Sequence, residues 1–191
     1  MINRTVESAQ SVIDGEPTAS APVLYASGHE LSFSLQPEDL RNQDLVSVVV
    51  EAVCAEFGLD QQRPRLYLVF SELMSNAIDH GILQLDSSIK DSAGGFDLYL
   101  ELRADRLSAL ESGCVNIAVS ELTSRNGTPF LKVIVADSGS GFDFTGRSSL
   151  NDLADMSATH GRGLAILAHL CASIQHQPPG NQVEVVFNLS V

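Results

Sequence analysis

Three side chains with acid, amide and imidazole groups recur every four residues in the string LVFSELMSNAIDHGILQLD. They are Glu72, Asn76 and His80. Residues four apart lie on one face of an α-helix, so a helix over 64–83 would place the three on one polar stripe. Such a stripe would be a polar edge on an otherwise apolar helix. The apolar positions predicted to be buried beside it are Leu66, Val69, Phe70, Leu73, Met74, Ala77 and Ile78.

An aspartate followed by two glycines ends a second apolar segment. Asp137 closes the run LKVIVAD, and Gly139 and Gly141 come after it. A carboxylate at a strand end can accept a hydrogen bond from an amino group, and glycines let the backbone approach a flat ligand. A calcium loop is the alternative, but its twelfth position requires a bidentate glutamate and is Ser148. The calcium interpretation is therefore rejected.

A second glycine motif, HGRG, precedes a further apolar segment. Gly161, Arg162 and Gly163 stand at the start of a helix predicted over 162–173. The free amides of a helix N-terminus, together with an arginine, favour anions, and glycines let a phosphate come close. The polar residues between the two glycine motifs, 142–160, show little periodicity and are predicted to form a mobile lid.

Hydrophobic periodicity predicts a domain of both strands and helices around these motifs. Leu31, Phe33 and Leu35 alternate with serines, as in a half-buried strand. One helix is predicted from Pro37 to Gly58. An amphipathic helix is predicted over 96–110, with an apolar face formed by Phe96, Leu100, Leu107 and Leu110. Further strands are predicted over 114–122, 130–138 and 182–190.

Composition limits the classes of function. Of 191 residues, 11 are Lys or Arg and 24 are Asp or Glu, which leaves a net charge of -13. That charge disfavours nucleic acid and anionic membranes as partners. The three cysteines are far apart and form no CxxC pair, so a reducing cytoplasm is the expected location. Residues 1–23 are polar and are predicted to be a flexible tail or linker before a domain over 24–191.

The order of the motifs resembles that of a known superfamily. ExxxN on a helix, DxGxG after a strand and GxG before a helix resemble the N, G1 and G2 boxes of the GHKL ATP-binding superfamily. The compact string SELMSNAIDHGIL is similar to anti-sigma-factor serine kinases. The longer string ELMSNAIDHGILQLDSSIK is similar to ATPase domains at the C-terminus of some bacterial response regulators. The resemblance spans 31–189 and implies a Bergerat-type α/β sandwich, with helices on one face of a mixed, mostly antiparallel sheet.

The resemblance also implies roles for single residues. Glu72 would be the general base, and Asn76 would be a ligand of Mg²⁺, which takes few oxygens from protein. Asp137 would accept a hydrogen bond from the adenine amino group of ATP, with Gly139 and Gly141 shaping the pocket. Gly161, Arg162 and Gly163 would hold phosphates, and His80 would lie near the phosphates or their supporting loop.

Each role has a structural alternative. Glu72 and Asn76 could form a solvated edge of a helix. His80 could end the helix and bond backbone carbonyls before Gly81. Arg162 could be an exposed residue at a helix start.

The function that the resemblance implies is an ATP-dependent serine protein kinase that acts as an anti-sigma factor. Its partners would be a sigma factor and a STAS-domain antagonist, which it would phosphorylate, and the oligomeric state, including a homodimer, is open. One alternative is a nucleotide-gated binding module without kinase activity. A second is the catalytic fragment of a histidine kinase. The second is disfavoured because 1–23 contains no pattern of a long dimerising helix pair with a phosphorylated histidine.

Overall fold

The computed structural model describes residues 3–8, 24–141 and 162–190, which form two layers. One layer is a six-stranded sheet in the order β1-β2-β3-β4-β6-β5, in which every neighbouring pair is antiparallel. The strands are β1 (Asn3–Ser8), β2 (Leu24–Leu35), β3 (Val115–Ser124), β4 (Pro129–Asp137), β5 (Cys171–Gln177) and β6 (Gln182–Asn188). The fold is therefore the α/β sandwich that the motifs implied, with an antiparallel sheet.

Helices form the second layer. They are α1 (Pro37–Leu40), α2 (Leu45–Phe57), α3 (Arg63–Ser75), α4 (Gly95–Ser108) and α5 (Arg162–Leu170). A π-helix (Asn76–Ile82) continues α3, and short 3₁₀ helices occur at Asp60–Gln62 and Ser87–Asp91. The predicted helix over 64–83 thus corresponds to α3 and the π-helix together.

One face of the sheet packs against these helices. The alternation predicted for β2 is confirmed, because Leu31, Phe33 and Leu35 are buried. They join one cluster with apolar residues of α2 and α3, including Val53 and Phe70. The opposite face carries polar side chains and a small apolar cluster of Leu122, Phe130 and Val186. A hollow on that face is lined by Ser32, Ser34, Asn116, Ala118 and Gln182 among others, and it contains none of the predicted site residues.

The helix predicted from Pro37 to Gly58 is interrupted, and that prediction was wrong in its middle. A turn separates α1 from α2, where the Asn42 side chain accepts a hydrogen bond from the Asp44 N–H at 3.0 Å. Asparagine competes with helical backbone bonding in this way. The Arg41 side chain also turns away to donate to the carbonyl oxygens of Leu107 and Leu110.

The helix predicted over 162–173 ends earlier than expected. It stops at Leu170, and β5 begins at the next residue and pairs with β6. The pairing buries Cys171 and Ile174, so tertiary contacts override the helical periodicity of the segment. The sequence analysis did not identify β5 as a strand.

The predicted apolar face of the amphipathic helix over 96–110 was also partly wrong. In α4 the buried side chain is Tyr99, whereas Phe96 is 59% exposed and Leu100 is 47% exposed. Leu107 and Leu110 do pack at the edge of the core. Polar contacts of Tyr99 and Arg103, described below, set the rotation of this helix.

Part of the predicted tail lies in the sheet. Asn3–Ser8 pairs with β2 between His29 and Ser34, as a strand at the sheet edge. Backbone hydrogen bonds make this pairing and require no hydrophobic pattern, which is why the polar sequence did not indicate it. The domain boundary at residue 24 remains a prediction. Within the described ranges, no helix combines the length and the apolar content that a membrane span needs.

Candidate nucleotide-binding site

Glu72 lies on α3 against the first turn of α5. Its carboxylate is so close to Gly163 that a Cβ on that glycine would overlap Oε2. The side chain is half-buried, and this burial raises the pKa of Glu72, while the positive charge of Lys90 acts in the opposite direction. A carboxyl group with a raised pKa is better suited to accept a proton near neutral pH. Two of the predicted site residues, Glu72 and Gly163, are thus in contact.

Asp137 lies at the end of β4, enclosed by backbone. The N–H of Gly139 donates to Asp137 Oδ1 at 2.8 Å. A Cβ on Gly81 or on Gly139 would overlap the Asp137 carboxyl group. Burial raises the pKa of Asp137, and the hydrogen bonds from backbone N–H groups oppose that rise. The two glycines therefore create the space in which this carboxylate lies.

Neighbouring segments hold the Asp137 loop in place. The side chain of Asn181 donates to the carbonyl oxygen of Asp137 at 2.9 Å and to that of Gly139 at 3.3 Å. The backbone of Asp137 donates in turn to the Asn181 carbonyl. Ser138 exchanges two hydrogen bonds with Cys114, one from its own N–H and one to its hydroxyl oxygen. The loop is thereby fixed from both sides.

Gly141, the last glycine of the motif, is required by the backbone conformation at that position. Its φ is +78°, a left-handed backbone conformation that residues with a side chain rarely adopt. A Cβ there would also overlap the Pro179 carbonyl. Gly141 therefore lets the backbone that follows β4 pack closely against the turn that precedes β6.

Asn76 marks the change from α-helix to π-helix. Its N–H donates to the carbonyl oxygens of Glu72 and Leu73, so Glu72 and Asn76 share an α-helical face, and the Asn76 side chain is exposed. Beyond Asn76 the backbone hydrogen bonds join residues five apart instead of four. The Leu83 N–H, for example, donates to the Ile78 carbonyl at 2.8 Å. π-Helical turns often occur at functional sites.

His80 lies within the π-helix, four positions after Asn76. That it shares one stripe with Glu72 and Asn76 stays a prediction. Its Nδ1 lies 2.7 Å from the Leu85 carbonyl, which is the carbonyl-bonding alternative. A role for His80 near phosphates remains a prediction.

Asp79, which the sequence analysis did not select, is a buried carboxylate within the π-helix. It is 4% exposed and accepts hydrogen bonds from Arg103 Nε at 2.7 Å and from the Tyr99 hydroxyl at 3.1 Å. The Ser75 hydroxyl donates to it at 3.3 Å. Asp79 thus ties the π-helix to α4. An aspartate among apolar helix positions was the available signal.

Three parts of the predicted site fall outside the described residues. Gly161 and the proposed lid over 142–160 lie there, as does the side chain of Arg162, of which only the backbone in α5 is described. Their predicted roles remain predictions. Gly163 is the member of the HGRG motif whose surroundings the structure describes.

The described site joins both glycine motifs to one continuous helix. Glu72 on α3 contacts Gly163, and Gly81 at the end of the π-helix contacts Asp137. Asn76 lies between these two points in the chain. The exposed amide oxygen of Asn76 fits a hard cation, and the enclosed carboxylate of Asp137 fits an amino donor. The residues therefore suit Mg²⁺ and ATP at the positions that the motifs indicated.

Sequence reasoning missed Asn181 and Gly81 as residues of this site. Asn181 reaches the loop only because β4 and β6 are neighbours, with Ala136 opposite Gln182. Such pairings over long sequence distances leave no local pattern. Gly81 was available as a signal, since it stands on the same helix as Glu72 and Asn76.

Comparison with known proteins agrees with this geometry. The family model described as "Histidine kinase-like ATPase domain" matches residues 33–187, which include every described site residue. No curated protein matches the chain. Since the match covers most of the sequence, the chain belongs to the histidine kinase-like ATPase family, as its GHKL motifs implied.

Proposed function

We propose that this domain binds ATP with Mg²⁺ and is a serine protein kinase that acts as an anti-sigma factor. The observation that supports it best is the half-buried carboxylate of Glu72, one helical turn before Asn76 and in contact with Gly163. In this arrangement a proton acceptor, a cation ligand and the start of a helix come together. Phosphoryl transfer needs these three elements.

Different residues would bind the cation, the phosphates and the adenine of the nucleotide. Mg-ATP supplies the transferable phosphoryl group and the cation that neutralises its charge. The amide oxygen of Asn76 would bind the cation, and the free backbone N–H groups at the start of α5 would bind phosphates. Asp137 would accept a hydrogen bond from the adenine amino group, in the space created by Gly81 and Gly139.

Glu72 would act on the protein substrate. It takes the proton of a serine hydroxyl while the hydroxyl oxygen forms a bond to the terminal phosphorus, and ADP leaves with the bridging oxygen. The raised pKa of Glu72 moves its proton affinity towards the working pH, which favours general base catalysis. A STAS-domain antagonist as substrate, and a sigma factor as the sequestered partner, follow from the resemblance to anti-sigma-factor kinases.

Phosphotransfer to STAS-domain proteins tests the proposal. The chain is incubated with γ-labelled ATP and each STAS-domain protein of the source genome, and labelled serine is identified by peptide mapping. The proposal expects label on one STAS protein with wild type and a large loss with Glu72→Gln. Glu101→Gln, an exposed acid of α4, is the matched control and should label as wild type does.

The same experiment separates the alternatives. A binding module would bind ATP and a STAS protein or sigma factor without transferring label. A histidine kinase fragment would label an added phosphoacceptor helix at histidine, in an acid-labile bond. Either outcome would replace the serine kinase proposal.

A further inference from the structure

Lys90 is held at one place by an aromatic ring. Its Nζ lies 3.8 Å from the centroid of the Tyr99 ring, a cation-π contact. Tyr99 is itself immobilised, because its ring is 2% exposed and its hydroxyl donates to Asp79. Burial, with the Asp79 charge adding to it, raises the pKa of Tyr99, so its hydroxyl stays protonated as a donor. The ammonium group therefore has a fixed support and an exposed end.

The backbone around Lys90 is also fixed. Lys90 belongs to the 3₁₀ helix Ser87–Asp91, whose N-terminal cap is the Asp86 carboxylate, bonded to the Ser88 N–H at 2.9 Å. The Ser92 hydroxyl donates to the Ile89 carbonyl at 3.0 Å. A Cβ on Gly95 would overlap that carbonyl, so the segment packs tightly against the start of α4.

These contacts connect Lys90 to the proposed site. Tyr99, which supports it, bonds Asp79, and Asp79 bonds the Ser75 hydroxyl next to Asn76. Lys90 is also the cation whose charge opposes the rise in the pKa of Glu72. The Lys90 ammonium is therefore connected, through Tyr99 and Asp79, to the part of the helix that carries Asn76.

The site needs positive charge. The chain carries a net charge of -13, and both described carboxylates of the site, Glu72 and Asp137, would repel a polyphosphate. A divalent cation offsets part of the charge of a triphosphate, and a lysine is a compact point charge for phosphate oxygens. A lysine held beside the π-helix would offset more of it.

We propose that Lys90, positioned by Tyr99, binds the terminal phosphate of the nucleotide and makes the site prefer triphosphate over diphosphate. This inference rests on the proposed nucleotide binding. The structural alternative is that Lys90 only covers the Tyr99 ring. In that case, substituting Lys90 would change the affinities for ATP and ADP equally.

Nucleotide titration by calorimetry tests it, with Mg-ATP and Mg-ADP measured for each variant. Lys90→Met keeps the aliphatic chain over Tyr99 and removes the charge. It is expected to weaken ATP binding by about tenfold or more and ADP binding much less, so that the preference for ATP falls. Lys90→Arg keeps a charge over the ring and should retain most of the preference. Lys132→Met on β4, on the opposite sheet face, is the matched control and should bind as wild type does.

The outcomes distinguish the inference from the proposed function. Equal loss of ATP and ADP affinity in Lys90→Met, or no loss, would overturn the inference while nucleotide binding stands. Loss of the ATP preference in Lys90→Arg to the same extent as in Lys90→Met would also overturn it. A wild-type protein that binds neither nucleotide would overturn the proposed function and the inference with it. Thermal unfolding of each variant shows whether the fold is retained.

Discussion

The backbone of Gly163 lies against the carboxylate of Glu72, with no room for a Cβ between them. This contact joins the first turn of α5 to the last turn of α3, and the two residues are 91 positions apart in the chain. The φ of Gly163 is not in the left-handed region, so the glycine is required by space alone.

Gly163→Ala is therefore expected to damage the site although alanine favours helices. The added methyl group must displace either the Glu72 side chain or the start of α5, at a cost of about 1–3 kcal/mol. Nucleotide affinity should fall with it. Ala165→Ser, at an exposed position of the same helix, is the control and should change neither quantity. Unfolding and nucleotide titrations of both variants provide the measurement, and an unchanged Gly163→Ala protein would contradict the contact.

Asp137→Asn is expected to weaken nucleotide binding strongly, by about tenfold or more. The amide keeps the shape of the side chain but can present a donor where the adenine amino group needs an acceptor. Calorimetry with Mg-ADP measures the effect, and Asp105→Asn on α4 serves as an exposed control. Equal affinities of wild type and Asp137→Asn would remove Asp137 from the adenine pocket.

Substitutions of Glu72 and Asn76, which share one helix face, should affect different steps, one nucleotide binding and the other phosphotransfer. Asn76→Ala should lose Mg²⁺-dependent nucleotide binding, because the phosphates lose the cation that bridges them to protein. Glu72→Gln should still bind ATP, while phosphotransfer falls by about 10²-fold or more. Nucleotide titration and phosphotransfer to the STAS protein are measured side by side. A wild-type transfer rate in Glu72→Gln would favour the binding module.

The raised pKa of Glu72 predicts how this same variant changes stability with pH. Burial raises the folded-state pKa above the ordinary value of 4.5, so the folded protein binds the proton more tightly than the unfolded chain does. The stability that this contributes is present below the unfolded pKa and is lost as pH rises through the folded pKa. Glutamine does not ionise, so the Glu72→Gln variant does not lose this stability as pH rises. We expect the unfolding free energy of Glu72→Gln, relative to wild type, to increase as pH rises from acidic towards neutral.

Urea unfolding at a series of pH values from about 4 to 7 measures that difference. Glu101→Gln, an exposed acid, should show no such trend. A constant difference between Glu72→Gln and wild type across this range would show that the carboxyl group is not desolvated in the folded protein.

Asp79→Ala should destabilise the fold far more than an exposed acid does. It leaves Arg103 and the Tyr99 hydroxyl without their buried acceptor, at a cost of about 2–4 kcal/mol. Asp60→Ala breaks an ion pair with Arg63 at the surface and should cost less than about 1 kcal/mol. Urea unfolding of both variants decides, and similar costs would mean that the Asp79 cluster is not a structural centre.

Local sequence pattern was sufficient for the elements that carry the motifs. The alternation in β2, the apolar runs of β3 and β4 and the helical spacing around Glu72 all survive in the structure. Each depends on the side-chain period of a single element, which a chain shows before it folds. The ordered motifs also indicated the family, because glycines and carboxylates at those positions have few other uses.

The sequence by itself thus determined the family and the elements that carry Glu72, Asn76 and Asp137. Tertiary structure alone decided how they meet. β5 formed because β6 offered an edge, and the contacts of Asp79 with Tyr99 and Arg103, rather than an apolar stripe, set the rotation of α4. The contacts of Gly163 with Glu72 and of Gly81 with Asp137 join segments far apart in sequence. Close packing between distant segments has no local signal, because it depends on distances that exist only after the layers have come together.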